Sequence, residues 1–166
     1  MATVAPTSFS ILQRLLHWVT VLLVFFNLIF SDGVTEWAEA TTKGETPSPD
    51  TLFMSNLHAY IGLAILALTA VRLIVRYVHG VPAEPPEEPA IFQLLSKLGH
   101  WGFYGLLFVM PFLGIGAYYF GNMTAGFLHE GPVKLLLWLL IVVHVAAALV
   151  HQFYWKTNIL QRMTRG

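Results

Sequence analysis

Apolar residues are concentrated in four long blocks, which shorter polar segments separate. The blocks cover about residues 11–30, 54–76, 98–120 and 132–155. A helix of about 20 residues crosses the hydrocarbon core of a bilayer, which is about 30 Å thick. A helix on the surface of a soluble protein would instead show polar positions at every turn, and these blocks mostly do not. The pattern therefore predicts four membrane-spanning helices.

The composition supports a membrane protein with one domain. The chain has 166 residues, of which 56% are hydrophobic and 11% are charged, whereas about 25% of residues are charged in a typical soluble domain. A particle of this size cannot bury so much apolar surface, and its length is that of one domain. We therefore predict an all-α integral membrane bundle that forms a single domain over residues 1–166.

Lysine and arginine are unevenly distributed between the two sides of such a bundle. By the positive-inside rule, the side that is richer in them is expected to face the cytoplasm, together with both termini and the proline-rich segment 78–90. The formal net charge is zero, and we expect membrane lipid but no nucleic acid as a partner. The richer side carries seven of these residues: Arg14, Arg72, Arg76, Lys97, Lys156, Arg162 and Arg165. The other side carries Lys43 and Lys134.

Six of the seven histidines lie in or next to the apolar blocks. A polar side chain at membrane depth is costly and usually functional, although any single one could simply bond a backbone carbonyl. No cluster of Asp and Glu accompanies them, which argues against a proton relay or a carboxylate-bridged metal site. The absence of cysteine excludes iron–sulfur and zinc–thiolate sites. Imidazole ligation of haem remains. The six are His17, His58, His100, His129, His144 and His151.

The depths of four of these histidines suggest two pairs. His17 lies about one turn into the first block from the cytoplasmic side, and His58 lies near the outer start of the second. His129 lies at the outer mouth of the fourth block, and His144 lies about 22 Å further in if the chain between them is helical. Two stacked haems would then use His58 with His129, and His17 with His144. Small residues beside the histidines would admit the macrocycle, although ordinary close helix packing explains them equally well.

Five stretches of sequence resemble the bacterial cytochrome b561 family, whose members are four-helix membrane cytochromes with two haem b groups. That family is related to the cytochrome b subunits of membrane hydrogenases and formate dehydrogenases. The resemblance covers nearly the whole chain, and it implies a four-helix bundle in the bacterial inner membrane with haem groups between the helices. It also implies two haem b groups with four axial ligands, His17, His58, His129 and His144. The stretches are QRLLHW, NLHAYIGLAILALTAVRLIVR, KLGHWGFYGLLFVMPFLG, LHE and HVAAALVHQF.

One spacing departs from the family pattern. The last two ligands are fourteen residues apart in the family, whereas His129 and His144 are fifteen apart, with Gly131 and Pro132 between them. Proline favours the first turn of a helix. The last helix is therefore predicted to begin at about residue 132, with His129 on a short lead-in.

A second histidine follows on the same helix face. His151 lies seven residues after His144, or about 10.5 Å along a helix, which is too close for two stacked haems. The resemblance selects His144 as the ligand. His151 then lies level with His100, Trp18 and Tyr154, and these four form a candidate quinone site because imidazole can bond a quinone oxygen and carry a proton. Alternatively, His151 bonds a haem propionate or a carbonyl.

Three arginines are candidates for holding haem propionates. Arginine pairs with carboxylates through a fork of two N–H donors, and Arg14, Arg72 and Arg76 lie toward the cytoplasmic side. Interfacial anchoring of the helices explains the same positions.

Taken together, these features predict a di-haem b protein that moves electrons across the membrane to or from quinone. Two alternatives stay open: a superoxide:quinone oxidoreductase that acts alone, and a subunit of a larger respiratory complex. A third interpretation is a helical membrane protein without a cofactor. Whether the chain is an enzyme by itself is therefore undecided. The outer segments carry more acidic than basic side chains, which opposes capture of an anion and suits a basic partner such as a soluble cytochrome. The acidic residues are Asp32, Glu36, Glu39, Glu45, Asp50 and Glu130.

Overall fold

The computed structural model describes residues 6, 8–84 and 88–165. Within these residues the chain forms α-helices and one π-helical turn, without a β-strand, so the prediction of an all-α fold is confirmed. The π-helical turn covers His129–Val133. The helices are α1 (Ile11–Ile29), α2 (Asp32–Lys43), α3 (Pro49–His79), α4 (Ala90–Phe120), α5 (Met123–Leu128), α6 (Lys134–Phe153) and α7 (Ile159–Thr164).

Four segments of the described chain are long and apolar enough to cross a membrane: Ile11–Ile29, Pro49–His79, Ala90–Phe120 and Met123–Phe153. The second and third are each 31 residues long, which exceeds the roughly 20 residues that a span needs. Large apolar side chains cover much of their outward surface. The predicted membrane helical bundle is therefore confirmed.

The second spanning helix begins earlier than the predicted residue 54, and a local capping motif explains why. The Ser48 side chain accepts a hydrogen bond from the Thr51 backbone N–H, at 3.1 Å, and Pro49 occupies the first helical position. Both features favour the start of a helix. Polar residues outside the apolar block thus extend α3 beyond the length that hydropathy indicates.

The first polar segment, between α1 and α3, contains a helix that its composition does not reveal. Helix α2 is capped by Gly44, which follows its last residue and adopts the left-handed conformation with φ 71°. It packs so closely on α3 that a Cβ at Gly33 would collide with Met54. Near its middle, the Trp37 ring stacks on Tyr118 of α4 with ring centres 4.3 Å apart. One end of the bundle is thus covered by a docked helix.

The buried core draws on all four spanning segments. It comprises Val24 of α1, Ile65 of α3, Leu107 and Met110 of α4, and Leu137 of α6. Because one cluster joins all four segments, the bundle has a common interior into which histidines from different helices can project.

Hydrogen bonds gather both described ends of the chain and the segment between α3 and α4 at one end of the bundle. We call this the terminal end, and we call the opposite end, which carries α2 and α5, the outer end. The C-terminal helix α7 therefore lies across the start of α1. The bonds run from Gln13 Nε2 to the Gly80 carbonyl (2.8 Å), from Arg14 to the Thr164 carbonyl (3.2 Å) and from Arg162 to the Ala83 carbonyl (3.1 Å).

Candidate functional site

An outer histidine pair joins α3 to the end of α5. The ring centres of His58 and His129 are 6.1 Å apart, and the ring planes are 71° from parallel. His129 Nδ1 donates a hydrogen bond to the Met110 carbonyl at 2.8 Å, which leaves its Nε2 free. His58 Nδ1 is buried and has no hydrogen-bond partner among the described residues. At the outer pair, His129 Nε2 and His58 Nδ1 therefore have no hydrogen-bond partner among the described residues.

A cavity of about 180 Å³ adjoins the outer pair. Its lining is mostly apolar, and it includes Gly62 of α3 and Gly114 of α4 as well as both histidines. A Cβ at Gly114 would lie 3.2 Å from His129 Cε1, which is tighter than normal packing. The glycine therefore makes room for the His129 ring at this point.

An inner group of imidazoles lies toward the terminal end. The ring centre of His144 is 6.4 Å from that of His17 and 6.0 Å from that of His100. Phe103 packs against the His144 ring at 5.2 Å. We call His17 and His144 the inner pair. His100 was predicted at a separate quinone site, but it lies beside this pair, with its Nδ1 donating to the Ser96 carbonyl at 2.7 Å.

The three candidate arginines occupy different surroundings. The Arg72 side chain lies inside the bundle, with one guanidinium nitrogen 3.2 Å from His17 Nδ1 and its carbon 5.9 Å from the centre of the Tyr104 ring. Arg14 instead bonds the α7 backbone. Arg76 lies one turn beyond Arg72 toward the terminal end. Of the three, Arg72 is therefore the one in contact with a candidate ligand.

The residues of both pairs fit a haem that two axial imidazoles hold. A metal-bound imidazole nitrogen lies about 2 Å from the metal, so two axial nitrogens lie about 4 Å apart and their ring centres roughly 2 Å further apart. The observed ring separations of 6.1 and 6.4 Å agree with this value. The described residues contain no group of three or more His, Cys, Asp or Glu side chains suited to a bare metal ion. The donor sets therefore suit a macrocycle that supplies its own equatorial ligands.

His151, which follows His144 on α6, contacts groups other than those predicted for it. His151 is buried, and its Nδ1 lies 2.9 Å from the Thr157 hydroxyl oxygen. Its Nε2 lies 3.3 Å from Glu88 Oε1, and its ring packs against Trp155 at 4.7 Å. Both ring nitrogens are therefore already engaged by the protein.

The other candidates for the quinone site do not converge on His151. Trp18 donates through Nε1 to the Met163 carbonyl at 3.1 Å, and Tyr154 is 79% exposed. Within the described residues, no hydrogen bond, ion pair or ring contact joins His151 to His100, Trp18 or Tyr154. The structure thus does not bring the four residues together as one cluster.

The sequence analysis did not identify two polar residues that the structure places at these sites. Glu88 is only 6% exposed, and nothing in its proline-rich segment signals burial. Asn27 lines the outer cavity and donates to the His58 carbonyl at 3.0 Å. The rule that a polar residue at membrane depth is functional by default would have found Asn27, because it lies inside the first apolar block.

A π-helical turn separates the two histidines of the last spanning segment. It covers His129–Val133, and Gly131 departs from helical geometry with φ −94° and ψ −106°. The predicted start of the last helix at residue 132 is therefore slightly wrong, since α6 begins at Lys134. His129 directly follows α5 and lies within this turn, outside α6. The wide turn accommodates an additional residue between His129 and His144.

Comparison with known proteins places the chain in a family. The family profile described as prokaryotic cytochrome b561 matches residues 8–166. The chain is 34% identical to cytochrome b562 of Cereibacter sphaeroides over 156 residues, which are 93% of each protein. It is 29% identical to the probable superoxide oxidase CybB of Yersinia pestis over 175 residues, covering 93% of this chain and 94% of that protein. It is 27% identical to cytochrome b561 homolog 1 of Escherichia coli over 177 residues, covering 93% and 96%. The chain therefore belongs to the prokaryotic cytochrome b561 family, as a multi-pass bacterial membrane cytochrome that binds haem b and transfers electrons.

Proposed function

We propose that this cytochrome carries electrons across the membrane through two haem b groups and exchanges them with the quinone pool. The observation that carries the proposal is the presence of two histidine pairs at successive depths of one bundle, with ring centres 6.1 and 6.4 Å apart. His58 with His129 would hold the outer haem, and His17 with His144 the inner one. Bound haem supplies reversible one-electron chemistry, which the protein tunes through ligands and surroundings.

One contact at the outer pair is of the kind that orients an axial ligand. Ligating histidines usually donate their second ring nitrogen to a carbonyl or carboxylate, which fixes the ring. His129 makes such a bond to the Met110 carbonyl. Arg72 lies against His17 and is placed to hold a propionate of the inner haem, because guanidinium groups bind carboxylates in a bidentate manner. Arg14 and Arg76, nearer the terminal end, are weaker candidates for the same role.

The purified protein should contain about two haem b per chain, each with two axial histidines. Two pairs of imidazoles at separate depths provide two sites, and without cysteine the haem cannot attach through thioether bonds. The pyridine haemochrome assay, combined with amino-acid analysis, measures the ratio. A ratio near one would reject one of the two sites, and a ratio near zero would reject both.

Exchange with quinone is proposed for the terminal end, around His100 and His151. Both histidines lie beyond or beside the inner pair, toward the membrane surface, where a lipid-soluble quinone can approach. Trp18 and Tyr154 lie at the same end and would border such a site. The test is anaerobic mixing of the reduced protein with a short-chain ubiquinone analogue in a stopped-flow instrument. Absence of haem oxidation would refute quinone exchange.

The terminal end is proposed to face the cytoplasm. Seven of the nine lysine and arginine residues lie on this side of the bundle, which is the bias that the positive-inside rule describes. A C-terminal green fluorescent protein fusion should therefore fluoresce, and a C-terminal alkaline phosphatase fusion should be inactive. The reverse pattern would show that the orientation is inverted.

Superoxide oxidation is a second candidate, because one relative is named a probable superoxide oxidase. The charge of the outer end argues against it. Lys43, one of two basic residues there, forms an ion pair with Glu39 at 3.6 Å, so a superoxide anion meets little free positive charge. Rapid haem reduction by enzymatically generated superoxide would favour this candidate. Co-purification with other subunits in mild detergent would instead favour a role within a larger respiratory complex.

A further inference from the structure

A carboxylate and an imidazole are buried against each other at the terminal end, outside both histidine pairs. The side chains of Glu88 and His151 are 2% and 9% exposed, and Glu88 Oε1 lies 3.3 Å from His151 Nε2. We propose that Glu88 and His151 form a proton-transfer pair that supplies the protons consumed when quinone is reduced. This inference rests on the proposed quinone exchange at the same end.

The hydrogen bonds around His151 indicate that one exchangeable proton lies within the pair. The Thr157 hydroxyl donates to the His151 carbonyl at 3.3 Å, so its oxygen can accept from His151 Nδ1–H at 2.9 Å. With Nδ1 as a donor, a favourable contact between Nε2 and the carboxylate requires one more proton, on either atom. The two facing atoms, Nε2 and Oε1, can therefore hold one proton between them.

A purely structural role explains the pair less well. Other hydrogen bonds already hold the segment between α3 and α4: Gln13 donates to the Gly80 carbonyl, and Arg162 donates to the Ala83 carbonyl. Burying an ion pair is costly, and apolar residues of similar volume often stabilise a protein equally well or better. Anchoring the segment therefore does not require a buried carboxylate. Among the described residues, the contact with His151 Nε2 is in addition the one polar approach to Glu88 Oε1, which leaves this oxygen able to accept a proton.

The position of the pair suits delivery of protons from the terminal end. His151 lies seven residues beyond His144 on the same helix face, about 10.5 Å along α6. Glu88 lies on the connecting segment at the bundle surface, and Trp155 covers the His151 ring. The pair thus lies between the inner histidines and the water at the terminal end.

Reduction of quinone to quinol consumes two electrons and two protons. The electrons arrive one at a time from the reduced cytochrome. In each of two cycles, the pair releases its proton to a quinone oxygen. One O–H bond of the quinol forms as the N–H or O–H bond within the pair breaks. Water at the terminal end then returns a proton to the pair. After the second cycle the quinone has received two electrons and two protons and is quinol.

The test compares two electron acceptors on the full-length, haem-loaded protein. Haems are reduced anaerobically and then mixed with either a short-chain ubiquinone analogue or ferricyanide, which accepts an electron without a proton. Glu88→Gln keeps the shape of the side chain but removes its proton exchange. We expect it to slow haem oxidation by quinone about 100-fold, which is the lower range for loss of a general acid–base group, and to leave the ferricyanide rate and haem spectra unchanged.

Glu84→Gln is the matched control. It removes one carboxylate from the same segment, and Glu84 pairs with Lys97 at 3.3 Å rather than with His151, so its quinone rate should remain that of the wild type. Equal rates in Glu88→Gln and Glu84→Gln would overturn the inference. Slowing of both acceptors in Glu88→Gln would also overturn it, because it would indicate a structural effect. Failure of the wild type to react with quinone would instead refute the proposed function.

A second comparison covers the case in which Glu88→Gln does not accumulate with haem. Glu88→Asp keeps an exchangeable carboxylate and should retain most of the quinone rate. Thr157→Val removes the hydroxyl that binds His151 Nδ1 and should slow the quinone reaction but not the ferricyanide reaction. If Thr157→Val and the wild type oxidise equally fast with quinone, the pair does not deliver the proton.

Discussion

The His144→Ala protein should retain the outer haem b and lose the inner one, so that its haem content falls from about two per chain to about one. The reason is geometric, since His144 is the member of the inner pair that α6 contributes, and its ring lies 6.4 Å from that of His17. His144 would hold the inner haem together with His17, and its removal would leave one imidazole there and an unfilled space beside Phe103. Haemochrome quantification and redox titration of the remaining absorbance band measure the result.

Two companion variants decide whether His144 is the correct ligand. His17→Ala should give the same haem content and spectrum as His144→Ala, because both remove the same site. His100→Ala should keep both haems, although its ring lies only 6.0 Å from His144. The choice of ligand would be wrong if His100→Ala or His151→Ala lost a haem while His144→Ala kept two.

Gly114→Leu should produce the opposite loss, removing the outer haem and keeping the inner one. Gly114 lines the outer cavity, and a Cβ at this position would already lie 3.2 Å from His129 Cε1. A leucine side chain extends further and must displace the His129 ring or fill the cavity. The haem-to-protein ratio should therefore fall by about half, as expected when one of two histidine-ligated sites is lost.

Gly105→Leu is the matched control, because it lies on the same helix and a Cβ there would meet no atom within 4 Å. It should keep the full haem content. If Gly105→Leu and Gly114→Leu lost haem equally, the loss would reflect a disturbed α4 rather than a blocked outer site. Full haem content in Gly114→Leu would show that the outer haem does not depend on the position of His129.

The sequence predicted the spanning helices because each apolar block is long and nearly free of charge. Helix α2 escaped prediction because its stability comes from docking, with Gly33 against α3 and Trp37 on Tyr118. Such contacts join residues that are distant in sequence, and hydropathy does not register them. The early start of α3 has a different cause, since a local serine cap adds polar residues to the helix and hydropathy does not register caps.

The part of the candidate site that could be predicted is the pairing of histidines by their depth in the membrane. Counting residues from the membrane surface paired His17 with His144 and His58 with His129, and these rings lie close together, while their ligation of haem stays a prediction. Depth could not indicate that His100 lies beside the inner pair. Nor could it indicate that Glu88 folds back onto His151, because a proline-rich connection gives no periodic pattern from which the direction of a side chain can be inferred.

The π-helical turn between α5 and α6 has a consequence for how this protein can change during evolution. His129 is the first residue of the turn, directly after the short helix α5, and His144 lies in the long helix α6, so the turn forms the junction between two candidate ligands. We expect a residue gained or lost at Gly131 and Pro132 to be taken up within the turn, because Gly131 already departs from helical geometry. The number of residues between these two histidines is therefore a poor guide to whether a relative has kept both of them.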